Sequence, residues 1–175
     1  TLVDFNGNVA PNMGAAPKGL LVQDGIGNFY GTTYQGGTAG LRTVFKMTSA
    51  GVLTTLVSFT GNGASNKGRN PYARLVEGSD VNFYGTTESG GANDKGTVFR
   101  MTPSGVLTTL VEFTENGATN KGSFPYAGLV QGSDGNFYGT TNGGGANNYG
   151  TVFKMTSTGV LTTLVEFTGN GATNK

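Results

Sequence analysis

Segments of this chain return every 54 residues, and that period limits the fold more than any other feature. Asn28-Phe29-Tyr30-Gly31-Thr32-Thr33 recurs as Asn82 to Thr87 and again as Asn136 to Thr141. The same step carries Thr43-Val44-Phe45-Lys46-Met47-Thr48 to Thr97 to Thr102 and to Thr151 to Thr156, and it links Pro17, Pro71 and Pro125. Gly51 to Phe59 returns at Gly105 to Phe113 and Gly159 to Phe167, and part of that block, Thr1 to Phe5, opens the chain. The division is one array over 1–175, with repeats at 1–54, 55–108 and 109–162 and a partial repeat at 163–175.

Each period holds four short runs rich in Val, Leu, Phe, Tyr and Thr, separated by Gly/Asn/Asp/Ser clusters, which reads as four β-strands. In the third copy they are expected at Tyr126–Gln131, Asn136–Thr141, Gly150–Thr156 and Val160–Phe167. Asp134-Gly135 suits a tight hairpin, and Gly159 sits where a positive φ is needed. All four strands can then pair antiparallel with their neighbours. The longest connection, Thr168 to Lys175 in the last copy, would lead from one repeat to the next.

Strict alternation puts Thr151, Phe153 and Met155 on one face and Val152 and Lys154 on the other. It puts Leu161, Val165 and Phe167 opposite Thr162, Leu164 and Glu166. Apolar groups on both faces suit a sheet packed between two other sheets, as in a propeller blade, and the period is near that of known propeller repeats. The expected fold is therefore all-β, with four-stranded antiparallel repeats as β-propeller blades. The alternative is a linear, β-solenoid-like stack. Propellers close with four blades or more; three blades and a surplus N-terminal strand leave closure to further blades, to other copies in a ring, or to strand donation along a fibre.

Composition removes whole classes of chemistry. With no His, Cys or Trp there is no His-based triad, no thiol nucleophile, no disulfide and no zinc site of the usual kind. Eleven Lys plus Arg face ten Asp plus Glu, interspersed, so no electrostatic footprint for nucleic acid or an anionic membrane exists. The longest apolar runs, such as Gly19-Leu20-Leu21-Val22, are too short to cross a bilayer.

Some residues still invite a functional reading. Asp24, Asp80 and Asp134 are read as recurring in register, and could ligate calcium or line a channel, although an Asp before a hairpin usually caps its own turn. Glu112 and Glu166 could supply carboxylates for glycoside chemistry, but the first copy has Ser58 in their place. Tyr30, Tyr84 and Tyr138 could stack on sugar rings or, being beside Phe within strands, pack between repeats. The glycine clusters at Gly36-Gly37, Gly90-Gly91 and Gly143 to Gly145 are turns, because no helix follows them to meet a phosphate.

The string Gly-Ser-Asp-Gly-Asn-Phe-Tyr-Gly-Thr-Thr at 132–141, followed by Gly143 to Gly145, Gly150 to Met155 and Leu161 to Phe167, resembles the GloVer tandem-repeat family over nearly the whole chain. The resemblance implies long secreted or surface-anchored bacterial proteins, and it supplies no catalytic residues. The first copy departs most, with Asn6 to Ala16 replacing the Asn-Gly-Ala-Thr-Asn-Lys loop, as a capping repeat would. The expectation is an extracellular, non-enzymatic structural or adhesive protein without metal or cofactor. Its expected partners are copies of itself, with a polysaccharide or small ligand on the loop face as the alternative.

Overall fold

The computed structural model describes Asp4, Phe5, Gly7 and residues 14–169. Three antiparallel sheets follow one another along the chain. The first contains β1 (Gly14–Pro17), β2 (Val22–Gln23), β3 (Phe29–Gly36), β4 (Thr43–Met47) and β5 (Leu53–Ser58). In the second repeat, β6 (Gly68–Arg69) pairs with β9 (Ser89–Gly90), while β7 (Val76–Glu77), β8 (Phe83–Thr87), β10 (Thr97–Met101) and β11 (Leu107–Glu112) form a four-stranded sheet. The third sheet is β12 (Val130–Gln131), β13 (Phe137–Thr141), β14 (Thr151–Met155) and β15 (Leu161–Glu166). Each blade is built on a four-stranded antiparallel sheet whose strands run in chain order, β2-β3-β4-β5, β7-β8-β10-β11 and β12-β13-β14-β15, with β1 and the β6–β9 pair added beside the first two.

The innermost strand is shorter than the sequence pattern suggested. In the third blade only Val130 and Gln131 of the expected Tyr126–Gln131 run pair with β13. Upstream, Ser123 bridges Gly143, at the far end of the same neighbour, as β1 does with β3 and β6 with β9. Pro17, Pro71 and Pro125 stand at the break: proline has no N–H to give the ladder, so this edge strand divides into two short pieces.

The outermost pairing holds a second departure. Val152 faces Val165, but Phe153 faces Thr163, so Leu164 is an extra residue in a β-bulge, as are Leu56 and Leu110 in the earlier blades. Strict alternation had placed Val165 with Leu161. The bulge carries it across, so that it shares the face of Val152.

The faces then sort cleanly. Val22, Tyr30, Val44, Val57 and Phe59 of the first blade meet Leu75, Phe83, Phe99, Met101 and Leu107 of the second in one buried core. Tyr84, Val98, Val111 and Phe113 meet Leu129, Phe137, Phe153 and Met155 in the next. The ring of Tyr30 stacks 4.0 Å from that of Phe83, and Tyr84 lies 3.9 Å from Phe137. Phe59 meets Phe99 edge-on at 5.4 Å, Phe113 meets Phe153 at 5.4 Å, and Phe5 meets Phe45 in the same way at 5.1 Å. Aromatic pairs of these kinds add about 0.5–1.5 kcal/mol each beyond the area they bury. The bulge leucines Leu56 and Leu110 also seat against the next blade. A Cβ on Gly105 would come within 3.0 Å of the Leu56 carbonyl oxygen, and one on Gly159 within 2.9 Å of that of Leu110.

Two substitutions test this packing. Phe83→Ala removes a fully buried ring between blades and should cost about 3–5 kcal/mol in urea unfolding. Val81 has φ 57, where its register-mates are Gly27 at 90 and Gly135 at 76. Its side chain is 63% exposed, so Val81→Gly should stabilise the chain by about 1 kcal/mol through relief of a left-handed conformation.

Candidate functional site

The Asp-to-Tyr turns show how the repeat manages a buried phenol. Asp80 accepts hydrogen bonds from the Asn82 N–H at 3.3 Å, the Asn82 side-chain amide at 2.8 Å and the Tyr84 hydroxyl at 2.9 Å. Asp134 makes the same set with Asn136 and Tyr138 at 3.2, 2.7 and 2.8 Å. Asp24 is out of step: the residue 54 positions after it is Gly78, and the counterpart of Asp80 is Ile26. It nevertheless binds the Asn28 N–H at 2.8 Å, the Asn28 amide at 2.9 Å and the Tyr30 hydroxyl at 3.1 Å. A carboxylate thus reaches the same phenol from either of two backbone positions. Gly78 and Gly132 leave the space that Asp80 and Asp134 use, since a Cβ there would come within 2.7 and 2.8 Å of the carboxylate oxygens.

These contacts shift both groups. Burial raises the Asp80 carboxyl, but donors from Asn82 and Tyr84 outweigh it and hold its pKa below the usual value; Asp24 behaves likewise through Asn28. Burial, then the hydrogen bond and charge of the Asp, push Tyr30 and Tyr84 up to about 12. Tyr30 and Tyr84 are fully buried, which closes their faces to any sugar; Tyr138 alone of this set is half-exposed. Among the described residues, no group of three acidic side chains gathers in a way that could hold a metal ion.

Glu112 and Glu166 are engaged separately. Glu112 pairs with Lys67, which lies in the linker ahead of its blade, and accepts the Ala92 N–H at 2.6 Å. Glu166 pairs with Lys121 at 2.7 Å and accepts the Ala146 N–H at 2.6 Å. The first repeat lacks both partners, having Met13 and Ser58 at these positions. Each pair pins a linker to the outer strand of the blade it enters.

The candidate site is the far face of the third blade. Val130 is 66% exposed where its counterpart Val22 is 7%, and Leu164 is 48% exposed. Tyr138, Val152, Val165 and Phe167 are half-buried, whereas Tyr30, Tyr84, Val44, Val98, Val57, Val111, Phe59 and Phe113 are buried. This is the complete set that the first two blades bury against a following blade, and no described residue covers it. At the opposite end, Phe5, Pro17, Gly19, Leu21, Phe45 and Met47 line a cleft of about 270 Å³. Between them, the inner strands of successive blades converge on a cleft of about 630 Å³ that includes Val22, Arg74, Val76, Glu77, Val130 and Gln131.

The sequence family model matches residues 1–175. The chain belongs to the Gloeobacter/Verrucomicrobia repeat family. No curated protein matches this repeat chain. Among solved structures it is similar to a protein titled as a gluconolactonase candidate, with 15% identity and a TM-score of 0.57, covering 86% of this chain and 49% of that one. It is also similar to the extracellular domain of a one-component system from B. thetaiotaomicron, with 14% identity and a TM-score of 0.56, covering 95% of this chain and 19% of that one. At such identities the likeness is one of fold, and it agrees with propeller-type blades. The repeat chain spans about half the length of the first relative.

Sequence reasoning passed over Tyr34, Arg42, Tyr72 and Tyr126, which form a row on one rim. Tyr34 and Arg42 have no like residue at the 54-residue step, so periodicity gave them no prominence.

The Asp–Tyr turns set a pH window for stability. A depressed carboxyl contributes fully above the unfolded value of about 3.9, and its contribution is lost as pH falls through the lower folded value. A raised phenol contributes fully below about 10, and its contribution is lost as pH rises through the folded value of about 12. Replacing Asp80 by Asn should shallow both limbs of a urea-midpoint profile against pH; unchanged limbs would show that the Asp80–Tyr84 pair adds nothing.

Proposed function

We propose that this repeat unit is a non-enzymatic, self-assembling structural or adhesive module that works outside the cell by stacking blade on blade with copies of itself. The observation that carries the reading is the repeated blade-on-blade packing: Val130, Tyr138, Val152, Leu164, Val165 and Phe167 of the third blade are the residue types that the first two blades turn toward a following blade. Both internal interfaces bury the same residue types against the next blade, so the partner best shaped for this face is another blade of the same repeat. Exposed apolar patches of this breadth mark interaction surfaces. The secreted habit implied by the family resemblance supports the extracellular placement, and the tie of Glu112 and Glu166 to Lys67 and Lys121 supports a non-catalytic role for both carboxylates.

The acceptor in a second copy would be its first blade, where Phe5 already occupies the place on Phe45 that Phe167 would take. Head-to-tail pairing therefore exchanges one phenylalanine for the other. Light scattering on a size column should give a particle well above the 17.9 kDa chain mass. Leu164→Asp, which puts a charge on the donor face, should return it to one chain, and Phe5→Ala should promote assembly by emptying the acceptor. A folded wild-type monomer at every accessible concentration would refute the proposal.

A further inference from the structure

In the second and third repeats the residue leading into the third strand is Gly96 or Gly150, at φ 94 and 93; the first repeat has Arg42 there, at φ 80. The backbone bonds are the same in each. The Arg42 N–H donates to the Gly36 carbonyl at 2.8 Å and its own carbonyl accepts the Phe59 N–H at 3.1 Å, as Gly96 does with Gly90 and Phe113 at 3.1 and 3.0 Å. The fold thus shapes this slot for glycine, and an arginine in it is strained. Strain of that kind collects where a side chain has a function.

The head group of Arg42 is held between two tyrosine rings. Its guanidinium carbon lies 4.2 Å from the Tyr34 ring centre and 4.3 Å from that of Tyr72, and Nη2 donates to the Tyr72 hydroxyl at 3.1 Å. Nη1 is buried with no hydrogen-bond partner. The Lys18 ammonium sits 3.9 Å from the same Tyr34 ring. Among the described residues, the ion pairs of the structure involve other cations, so Arg42 and Lys18 form a local concentration of positive charge. Glu88, farther along, is already engaged by the Tyr126 hydroxyl at 2.9 Å and the Asn70 amide at 2.9 Å.

From this charge an aromatic row runs across all three blades. Tyr34 and Tyr72 are 5.6 Å apart and Tyr72 and Tyr126 are 5.9 Å apart, with Tyr126 48% exposed. Flat apolar rings edged with hydroxyls, ending at two cations, match a ligand that combines pyranose faces with carboxylates. A free inorganic anion would use the cations and leave the rings idle. A nucleic acid would need a broad positive field that a chain of net charge +1 does not provide.

We propose that this rim binds an acidic polysaccharide. Lys18 takes a uronate carboxylate in the positive field of Arg42, whose guanidinium holds the Tyr34 and Tyr72 rings in place, and Tyr72 and Tyr126 carry the adjoining sugar rings. The site is separate from the apolar face proposed for assembly. Affinity electrophoresis through gels containing polygalacturonate, with dextran as the neutral control, tests it. The wild type should be retarded by polygalacturonate alone. Arg42→Gly installs the residue that the other repeats use, so it should stay folded by circular dichroism. Its binding should weaken severalfold, the scale of losing one neighbouring positive charge and the ring packing it supports. Tyr126→Ala, which leaves the charge unchanged, should weaken binding severalfold. Absence of retardation in the wild type, full binding by folded Arg42→Gly, or indifference to Tyr126→Ala would each overturn the assignment.

Discussion

The stacking of a tyrosine from one blade on a phenylalanine of the next is the interaction on which the rest depends. Tyr30 on Phe83 and Tyr84 on Phe137 lie at the centre of the two cores, and each phenol drags a polar atom inward with it. A buried hydroxyl needs a partner. The Asp–Tyr bond supplies it, and the carboxylate in turn is held by the turn it caps. Core packing, hairpin geometry and the ionisation of two side chains are therefore one linked requirement. That linkage explains why the carboxylate is kept when its position in the chain moves by two residues, from Asp80 to Asp24.

Much of the architecture was legible because a repeated chain states its own register. The four-strand pattern and the placement of apolar groups on both faces followed from alternation and turn chemistry. Alternation failed where the backbone adds a residue. Nothing in Leu161-Thr162-Thr163-Leu164-Val165 announces that Leu164 falls outside the pairing, because alternation alone does not register a residue added to one strand. The inner strand was overestimated for a related reason: apolar content at Tyr126–Gln131 reflects packing, whereas pairing is limited by the proline ahead of it.

The functional residues were harder to see, since the same periodicity that revealed the fold favoured residues that serve it. Tyr30, Tyr84 and Tyr138 stood out because they recur, and recurrence here marks the packing positions. Three positions that differ between copies lie on the rim: Lys18, Tyr72 and Tyr126 occupy one, Tyr34, Glu88 and Asn142 another, Arg42, Gly96 and Gly150 a third. The residues that join blades are by contrast largely constant from copy to copy.

The leucine bulge gives the array a direction. A bulge on the outgoing side of each blade meets a glycine on the incoming side of the next, and the two sides differ in shape and composition. Two outgoing faces set against each other would bring bulge against bulge, with no glycine slot to receive either. Within the chain, both contacts between blades are accordingly heterologous, head to tail. Each blade therefore offers its successor the same kind of outgoing face, so the order of blades along the chain fixes the sense of the whole stack.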